Sequence, residues 1–142
     1  LVVDVKGETD IEMRTEVVKR YLEYELDPEA FLEKWRPEQE KLRDKISEAQ
    51  KLLRIVTYSD EILRLAAEIS VSLGVDGHRA DISMIKTACT NAAYEGRDRV
   101  SGEDMKLAAE LVLPHRMRRK PFEEQRMDIN SVFEMIESRE GI

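Results

Sequence analysis

The sequence predicts an all-α fold, and three features of its 142 residues lead to that prediction. Apolar residues recur at helical spacing in several segments, whereas only the opening LVVDV has the alternation of a strand. Hydrophobic residues make up 42% and charged residues 37% of the chain, which is the balance of a folded helical domain. Because LVVDV has nothing before it to pair with, we expect it to be a strand remnant and the chain to be a fragment of a longer protein.

The first half of the chain predicts helices separated by proline. Thr9 or Asp10 can cap a helix that stops at Asp27, and Asp27 can in turn cap a segment that starts at Pro28. Pro37 is expected to interrupt this segment before a more regular helix begins. That helix has one narrow apolar stripe, which predicts packing along one edge and is too short for a coiled coil: Leu42, Ile46, Ala49, Leu52 and Leu53.

The second half predicts a compact bundle of three helices over residues 59–113. Ser59 opens a helix through Leu73, and Gly74 suits the left-handed position that ends it. A second helix covers residues 77–94, and SGED then caps a third over residues 102–113. A further short helix is expected over SVFEMIE near the end of the chain. The expected buried positions are Ile62, Leu65, Ala66, Ile69, Leu73, Ile82, Ile85, Ala88, Cys89, Ala92, Met105, Ala108, Leu111 and Val112.

Composition argues against several classes of partner. A net charge of -7 disfavours a nucleic-acid surface, which needs an excess of Lys and Arg. The basic run PHRMRRKP, residues 114–121, is either an anion or partner contact or a solvated helix end.

No apolar run approaches the roughly 20 residues that span a bilayer, so we expect no membrane partner and a cytoplasmic setting. Cys89, the single cysteine, has no disulfide partner within the chain and is expected to act as a small buried hydrophobe.

The chain lacks the motifs of a self-contained enzyme. It has neither a GxxxxGK[ST] phosphate loop nor a GxGxxG turn, and a single cysteine cannot form a thiolate metal site. His78 and His115 are far apart and have no ligand-type neighbours at helical spacing. We therefore expect no metal site and no catalysis by this segment alone.

The stretch GVDGHRAD, residues 74–81, places cations where a helix disfavours them. With Asp76 as the expected N-cap, His78 and Arg79 fall in the first helical turn, at the positive end of the helix dipole. A bound anion would offset that cost, because backbone N–H groups and a guanidinium would converge on it. The alternative is a solvated arginine that pairs with Asp81.

Together with the segments around it, this stretch resembles a known family. GVDGHRAD and RVSGEDMKLAAELVLPHRMRRKPFEE look like the C-terminal part of the ATPase motor subunit of magnesium chelatase, in the AAA+ superfamily. DPEAFLEKWRPEQEKLRDKISEAQKLL is similar to the family's linker helices, and LVVDVKGETDIEMRTEVVKR to its last core strand and following helix. The resemblance implies four parts: a core strand (1–8), a helical linker (9–57), a lid bundle carrying sensor 2 (58–120) and a C-terminal tail (121–142).

The resemblance also implies roles for two residues. Arg79 matches the sensor 2 arginine, which contacts the γ-phosphate of ATP and so serves both catalysis and nucleotide binding. His78 is its neighbour in the same loop and is placed at the nucleotide without a distinct role. The expected cofactors are ATP and Mg²⁺, bound mainly by a core that this segment lacks. The expected partners are further copies in a hexameric ring and the other chelatase subunits, which insert Mg²⁺ into protoporphyrin IX in chlorophyll biosynthesis.

Two other functions are compatible with the same residues. One is the lid of a related AAA+ motor, either a cobalt or nickel chelatase or a MoxR-type ATPase that remodels proteins. The other is a helical protein-interaction module, in which PHRMRRKP and the Leu42 to Leu53 stripe are contact surfaces and Arg79 is incidental. The sequence also leaves open whether Arg79 acts on the nucleotide of its own subunit or of a neighbour.

Overall fold

A computed structural model describes residues 1–3, 5–114 and 129–140, with the side chains of 136–140 left aside. These residues form six α-helices, which confirms the all-α prediction: α1 (Ile11–Leu26), α2 (Pro28–Leu52), α3 (Asp60–Ser72), α4 (Arg79–Tyr94), α5 (Gly102–Val112) and α6 (Ile129–Glu140). The only β-type pairing within the described ranges is a single parallel bridge between Thr57 and Arg99. None of these helices has the combination of length and apolar character that crossing a bilayer requires.

The strand predicted at the start of the chain is not formed in the described residues. The N–H of Val2 donates instead to the carbonyl oxygen of Leu111 in α5, at 2.8 Å, and Val5 is 91% exposed. A strand is stabilised by the backbone hydrogen bonds that a neighbouring strand supplies. Without such a neighbour the alternating pattern of LVVDV forms no paired strand here, and the assignment of residues 1–8 to the last core strand stays a prediction.

The chain divides into two compact units, Asp4–Ser47 and a second made of Leu1–Val3 with Glu48–Ile142. We call them the N-terminal unit and the bundle unit. In the N-terminal unit the carboxylate of Asp10 accepts a hydrogen bond from the N–H of Met13 at 2.8 Å, which confirms Asp10 as the cap of α1. The carboxylate of Asp27 caps α2 by accepting the N–H of Ala30 at 3.0 Å, with Pro28 as the first helical residue.

Helix α2 passes through Pro37 without a break, so the predicted interruption is wrong. Proline lacks the N–H that would donate to the carbonyl of Glu33, so one helical hydrogen bond is missing at this point. The helix continues on both sides, and its 25 residues supply enough intact hydrogen bonds to carry it across the defect.

An aromatic cluster joins α1 to the start of α2 within the N-terminal unit. The rings of Tyr24 and Phe31 meet edge to face with centroids 5.8 Å apart, and Phe31 lies 6.1 Å from Trp35. The guanidinium of Arg20 lies over the indole of Trp35 at 4.3 Å, in cation–π geometry. This cluster fixes the turn between the two helices.

Helices α3 to α6 pack against one another and enclose the core of the bundle unit. The core residues are mostly apolar and small: Ile62, Ala66, Ile69, Ala80, Met84, Ala88, Ala92, Val100, Met105, Ala108, Ala109, Val112, Leu113, Val132 and Phe133. Most of the buried positions predicted on α3 and α5 are confirmed, although Leu65, Leu73 and Leu111 are only partly buried. Helix α6 extends the short helix predicted over SVFEMIE, and it contributes Val132 and Phe133 to the core.

The buried face of α4 differs from the prediction. Ile82 is 55% exposed, and Ile85 and Cys89 are only partly buried. The face turned to the core is instead defined by residues four apart, starting at Ala80 and Met84 and continuing through Ala88 and Ala92. Ala80, Ala88 and Ala92 are small enough to allow neighbouring helices to approach closely, so these alanines and Met84 define the buried face of α4.

Candidate functional site at the start of helix α4

The loop between α3 and α4 begins with a well-defined helix end. Gly74 adopts a left-handed conformation with φ of +62°, which confirms its predicted role. The N–H of Val75 donates to the carbonyl of Ser70 at 2.9 Å, and that of Gly74 to the carbonyl of Val71 at 3.1 Å. These two bonds form a Schellman motif, which fixes the direction in which the chain leaves α3.

Helix α4 begins two residues later than predicted. Gly77 has a φ of +74°, which turns the chain once more before the helix, so that Asp76 cannot be the N-cap as expected. His78 occupies that position, and its side chain makes no capping hydrogen bond. Arg79 is therefore the first residue of α4, where the backbone N–H groups have no partner within the helix.

Arg79 has an exposed side chain on a backbone that is anchored in the core. Its carbonyl oxygen accepts a hydrogen bond from the hydroxyl of Ser83 at 2.7 Å, while its guanidinium has no hydrogen bond or ion pair with any other described residue. The next residue, Ala80, is 1% exposed and Met84 is fully buried, so the backbone of this turn is anchored in the core. The guanidinium can thus reach a ligand while its helix stays in place.

Asp81, the acid that offered the alternative partner for Arg79, is paired elsewhere. One of its carboxylate oxygens accepts a hydrogen bond from the hydroxyl of Ser70 on α3. The other lies 3.5 Å from Nδ1 of His78, whose side chain is 94% exposed. Arg79 is exposed to solvent, as that alternative expected, but it does not pair with Asp81.

The arrangement at the start of α4 suits a phosphate. The guanidinium of Arg79 and the backbone N–H groups of the first turn are all donors at the positive end of a helix dipole, the chemistry that an anion requires. His78 stands beside them and can add a further donor. Within the described ranges no cluster of three or more His, Cys, Asp or Glu side chains could hold a metal ion.

The sequence predicted that His78 and Arg79 stand together, and the structure places them at the N-cap and first position of α4. The link between Ser70 and Asp81 was missed from the sequence. Ser70 is 4% exposed, one of two polar residues in the described core. A signal for it exists, since Ser70 stands four residues after the buried Ala66 and next to the buried Ile69, on the face that the periodicity turns inward. The predicted basic run lies, from His115 onward, outside the described residues.

A second polar cluster lies where α4 turns into α5. Asp104 is 1% exposed and accepts hydrogen bonds from Arg97, from the Ser101 hydroxyl and backbone N–H, and from Asn91. Burial raises the pKa of Asp104, but these hydrogen bonds lower it more, so its pKa lies well below the usual range. Ser101 and Asp104 also form the predicted cap of α5. The donors around Asp104 are all used to hold its buried carboxylate, so this cluster fixes the helix pair.

The bundle unit resembles a known protein family. The profile of the AAA lid domain family matches residues 63–136, slightly more than half of the chain and most of the bundle unit. The chain belongs to the AAA lid domain family.

Several relatives of this AAA lid domain are named as magnesium-chelatase subunits. The magnesium-chelatase subunit ChlI homolog of Methanocaldococcus jannaschii is 46% identical over 136 residues, which cover 96% of this chain and 37% of the relative. The magnesium-chelatase 38 kDa subunit of Chlorobaculum tepidum is 42% identical, over 80% of this chain and 29% of the relative. That of Rhodobacter capsulatus is 38% identical, over 87% and 35%.

These similarities confirm the resemblance to the lid region of an AAA+ magnesium-chelatase subunit. The chain spans only 29–37% of the length of these relatives.

Proposed function

We propose that the chain is the linker and lid of the ATP-hydrolysing motor subunit of a magnesium chelatase, which drives insertion of Mg²⁺ into protoporphyrin IX. Residues 9–57 serve as the linker, residues 58–120 as the lid, 1–8 as the end of the nucleotide-binding core and 121–142 as a tail. The names of the relatives support magnesium over cobalt or nickel and over a protein client. The whole motor forms a homo-oligomeric ring that acts with other chelatase subunits in the cytoplasm.

One observation carries the proposal: the exposed Arg79 guanidinium, without an ion pair to any described residue, at the start of a helix anchored in the core. Arg79 donates charge-assisted hydrogen bonds to the γ-phosphate of ATP, and His78 lies beside it at the nucleotide. Hydrolysis of the terminal phosphate of ATP powers the motor. The nucleotide-binding core binds most of the ATP and the Mg²⁺.

The same contact gives the lid a way to respond to hydrolysis. Arg79 binds a phosphate that is present in ATP and absent in ADP, so the lid contacts the two nucleotides with different free energies. That difference biases the position of the lid, since a ligand shifts a conformational equilibrium only by its differential affinity for the two states. Because α4 is packed into a four-helix bundle, the bundle unit moves with Arg79 as one body.

The decisive experiment is ATP hydrolysis by the full-length protein with Arg79→Ala. We expect turnover to fall about 100-fold, the usual effect of removing a donor to developing charge. Arg79→Lys, which keeps the charge but not the planar fork, should recover only part of it. The matched control is Arg64→Ala, an arginine on α3 whose side chain is 81% exposed, and it should turn over normally. Normal turnover of Arg79→Ala would overturn the proposal.

A further inference from the structure

We infer that Ser70 is a positioning residue for Arg79, because it holds both ends of the loop that presents the guanidinium. The inference rests on the proposed contact between Arg79 and the γ-phosphate. Ser70 lies in the last turn of α3, nine positions before Arg79, and reaches the start of α4 by its side chain.

The first anchor is the backbone of Ser70. Its carbonyl oxygen accepts the N–H of Val75 at 2.9 Å, as part of the Schellman motif that starts the loop. Val75 also packs against the core, so the exit from α3 is held by a hydrogen bond and by an apolar contact. This end of the loop does not depend on the hydroxyl group.

The second anchor is the hydroxyl of Ser70, which donates to the carboxylate of Asp81 in the first turn of α4. Ser70 is 4% exposed and the side chain of Asp81 is 23% exposed, so water competes weakly for this bond. Without the hydroxyl, Asp81 would keep only its 3.5 Å approach to the exposed His78. The bond therefore joins the turn that carries Arg79 directly to α3.

This link bears on how sharply the protein distinguishes ATP from ADP. Arg79 gains affinity for the γ-phosphate only if its backbone stays where the guanidinium reaches that phosphate, and small displacements weaken charge-assisted bonds. Loss of the Ser70 hydroxyl removes the direct hydrogen bond between the first turn of α4 and α3, so the packing of Ala80 alone positions that turn. ATP affinity should then fall while ADP affinity is unchanged.

The test measures the ratio of dissociation constants for ADP and for β,γ-imido-ATP in the full-length protein. We expect Ser70→Ala to lower this ratio about fivefold, the effect of one lost hydrogen bond, and Arg79→Ala to lower it further. Asn91→Ala is the matched control, since it removes a hydrogen bond of 2.7 Å to Asp104 in the same bundle, about 18 Å along α4 from Arg79. It should lower the thermal stability and leave the ratio unchanged.

A double-mutant cycle assigns the effect to the Ser70–Asp81 bond itself. If the two residues act through that bond, Asp81→Ala lowers the ratio as much as Ser70→Ala, and the double variant is no worse than either. Asp81→Asn, which keeps an acceptor oxygen for the hydroxyl, should preserve the ratio. A fall in Asp81→Asn as large as that in Asp81→Ala would assign the effect to the charge and overturn the inference.

The remaining outcomes separate this inference from the proposed function. A wild-type ratio in Ser70→Ala, together with a clear loss in Arg79→Ala, overturns the positioning role alone. An equal fall in Ser70→Ala and Asn91→Ala also overturns it, because general loosening of the bundle would then explain both. A wild-type ratio in Arg79→Ala overturns the phosphate contact and the positioning role together.

Discussion

The guanidinium of Arg97 contacts both carboxylate oxygens of Asp104: Nη1 lies 2.6 Å from Oδ2, and Nη2 lies 2.6 Å from Oδ1. Asp104 is 1% exposed, whereas the side chain of Arg97 is 40% exposed. The pair ties the loop after α4 to the first turn of α5, where Asp104 also completes the capping box with Ser101. A buried carboxylate with this many donors depends on them, because an unpaired charge in the core is costly.

Arg97→Ala should therefore be one of the more destabilising single changes in the bundle unit. It leaves Asp104 buried with only neutral donors, and we expect the free energy of unfolding to fall by about 3 kcal/mol. Urea denaturation followed by far-UV circular dichroism measures this loss. Arg64→Ala, which breaks the exposed pair with Glu68, should cost less than about 1 kcal/mol. Equal losses of stability in Arg97→Ala and Arg64→Ala would show that the burial of Asp104 does not make its ion pair more important than an exposed one.

The same cluster predicts how stability depends on pH. The pKa of Asp104 is lowered in the folded state, so the unfolded chain takes up this proton at a higher pH than the folded chain does. The stabilisation is fully present above the ordinary aspartate pKa of about 4 and is lost as the pH falls toward the folded value. Asp104→Asn should lose less stability between about pH 6 and about pH 3 than the wild type does. Parallel pH profiles for the two proteins would refute the linkage.

Several features of this fold could be predicted because their signals are local. Asp10 and Asp27 each cap a helix through a backbone N–H three residues away. Gly74 ends α3 through its own left-handed conformation. Arg79 could be found in the same way, from a short motif at a helix start. Such signals depend on residue type and spacing over a few positions, so no knowledge of the packing is needed.

Other features depend on residues far apart in the chain and could not be read from the sequence. Ser70 and Asp81 are on different helices, and their bond exists only because α3 and α4 pack together. The path of α2 through Pro37 is likewise a balance between one missing hydrogen bond and the many intact bonds around it. Local rules predict a break there because they weigh only the defect.

The orientation of α4 predicts losses of stability of very different size for two of its apolar residues. Met84 is fully buried and Ile82 is 55% exposed, although the sequence pattern places Ile82 in the core. Met84→Ala should lower the free energy of unfolding by about 2–5 kcal/mol, since it leaves a cavity, whereas Ile82→Ala should cost less than about 1 kcal/mol. Urea denaturation of both variants decides the matter. A larger loss for Ile82→Ala than for Met84→Ala would show that Ile82 lies on the buried face of α4, as the sequence predicted.

Helix α6 should be an integral part of the bundle. Phe133 is 6% exposed and Val132 is fully buried, in contact with a core built by α3 and α5. We expect Phe133→Ala to cost about 3–5 kcal/mol, because it removes a large buried ring. Glu134→Ala is the neighbouring control, since Glu134 is exposed and its loss should be nearly neutral. Equal thermal unfolding of the two variants would show that α6 does not dock as described.

Gly77 should tolerate alanine poorly because of its backbone and not its surroundings. Its φ is +74°, while an added Cβ would meet nothing within 4 Å. We expect Gly77→Ala to cost about 1–2 kcal/mol, the strain of a left-handed conformation, and to weaken ATP binding because Arg79 follows two residues later. Gly102→Ala is the matched control: Gly102 also has open space around it but lies in a helix without a positive φ, so alanine there should be neutral or stabilising. Urea denaturation and nucleotide titration of both variants test this. If Gly77→Ala and Gly102→Ala had the same stability and the same ATP affinity, the left-handed conformation of Gly77 would not determine where α4 begins.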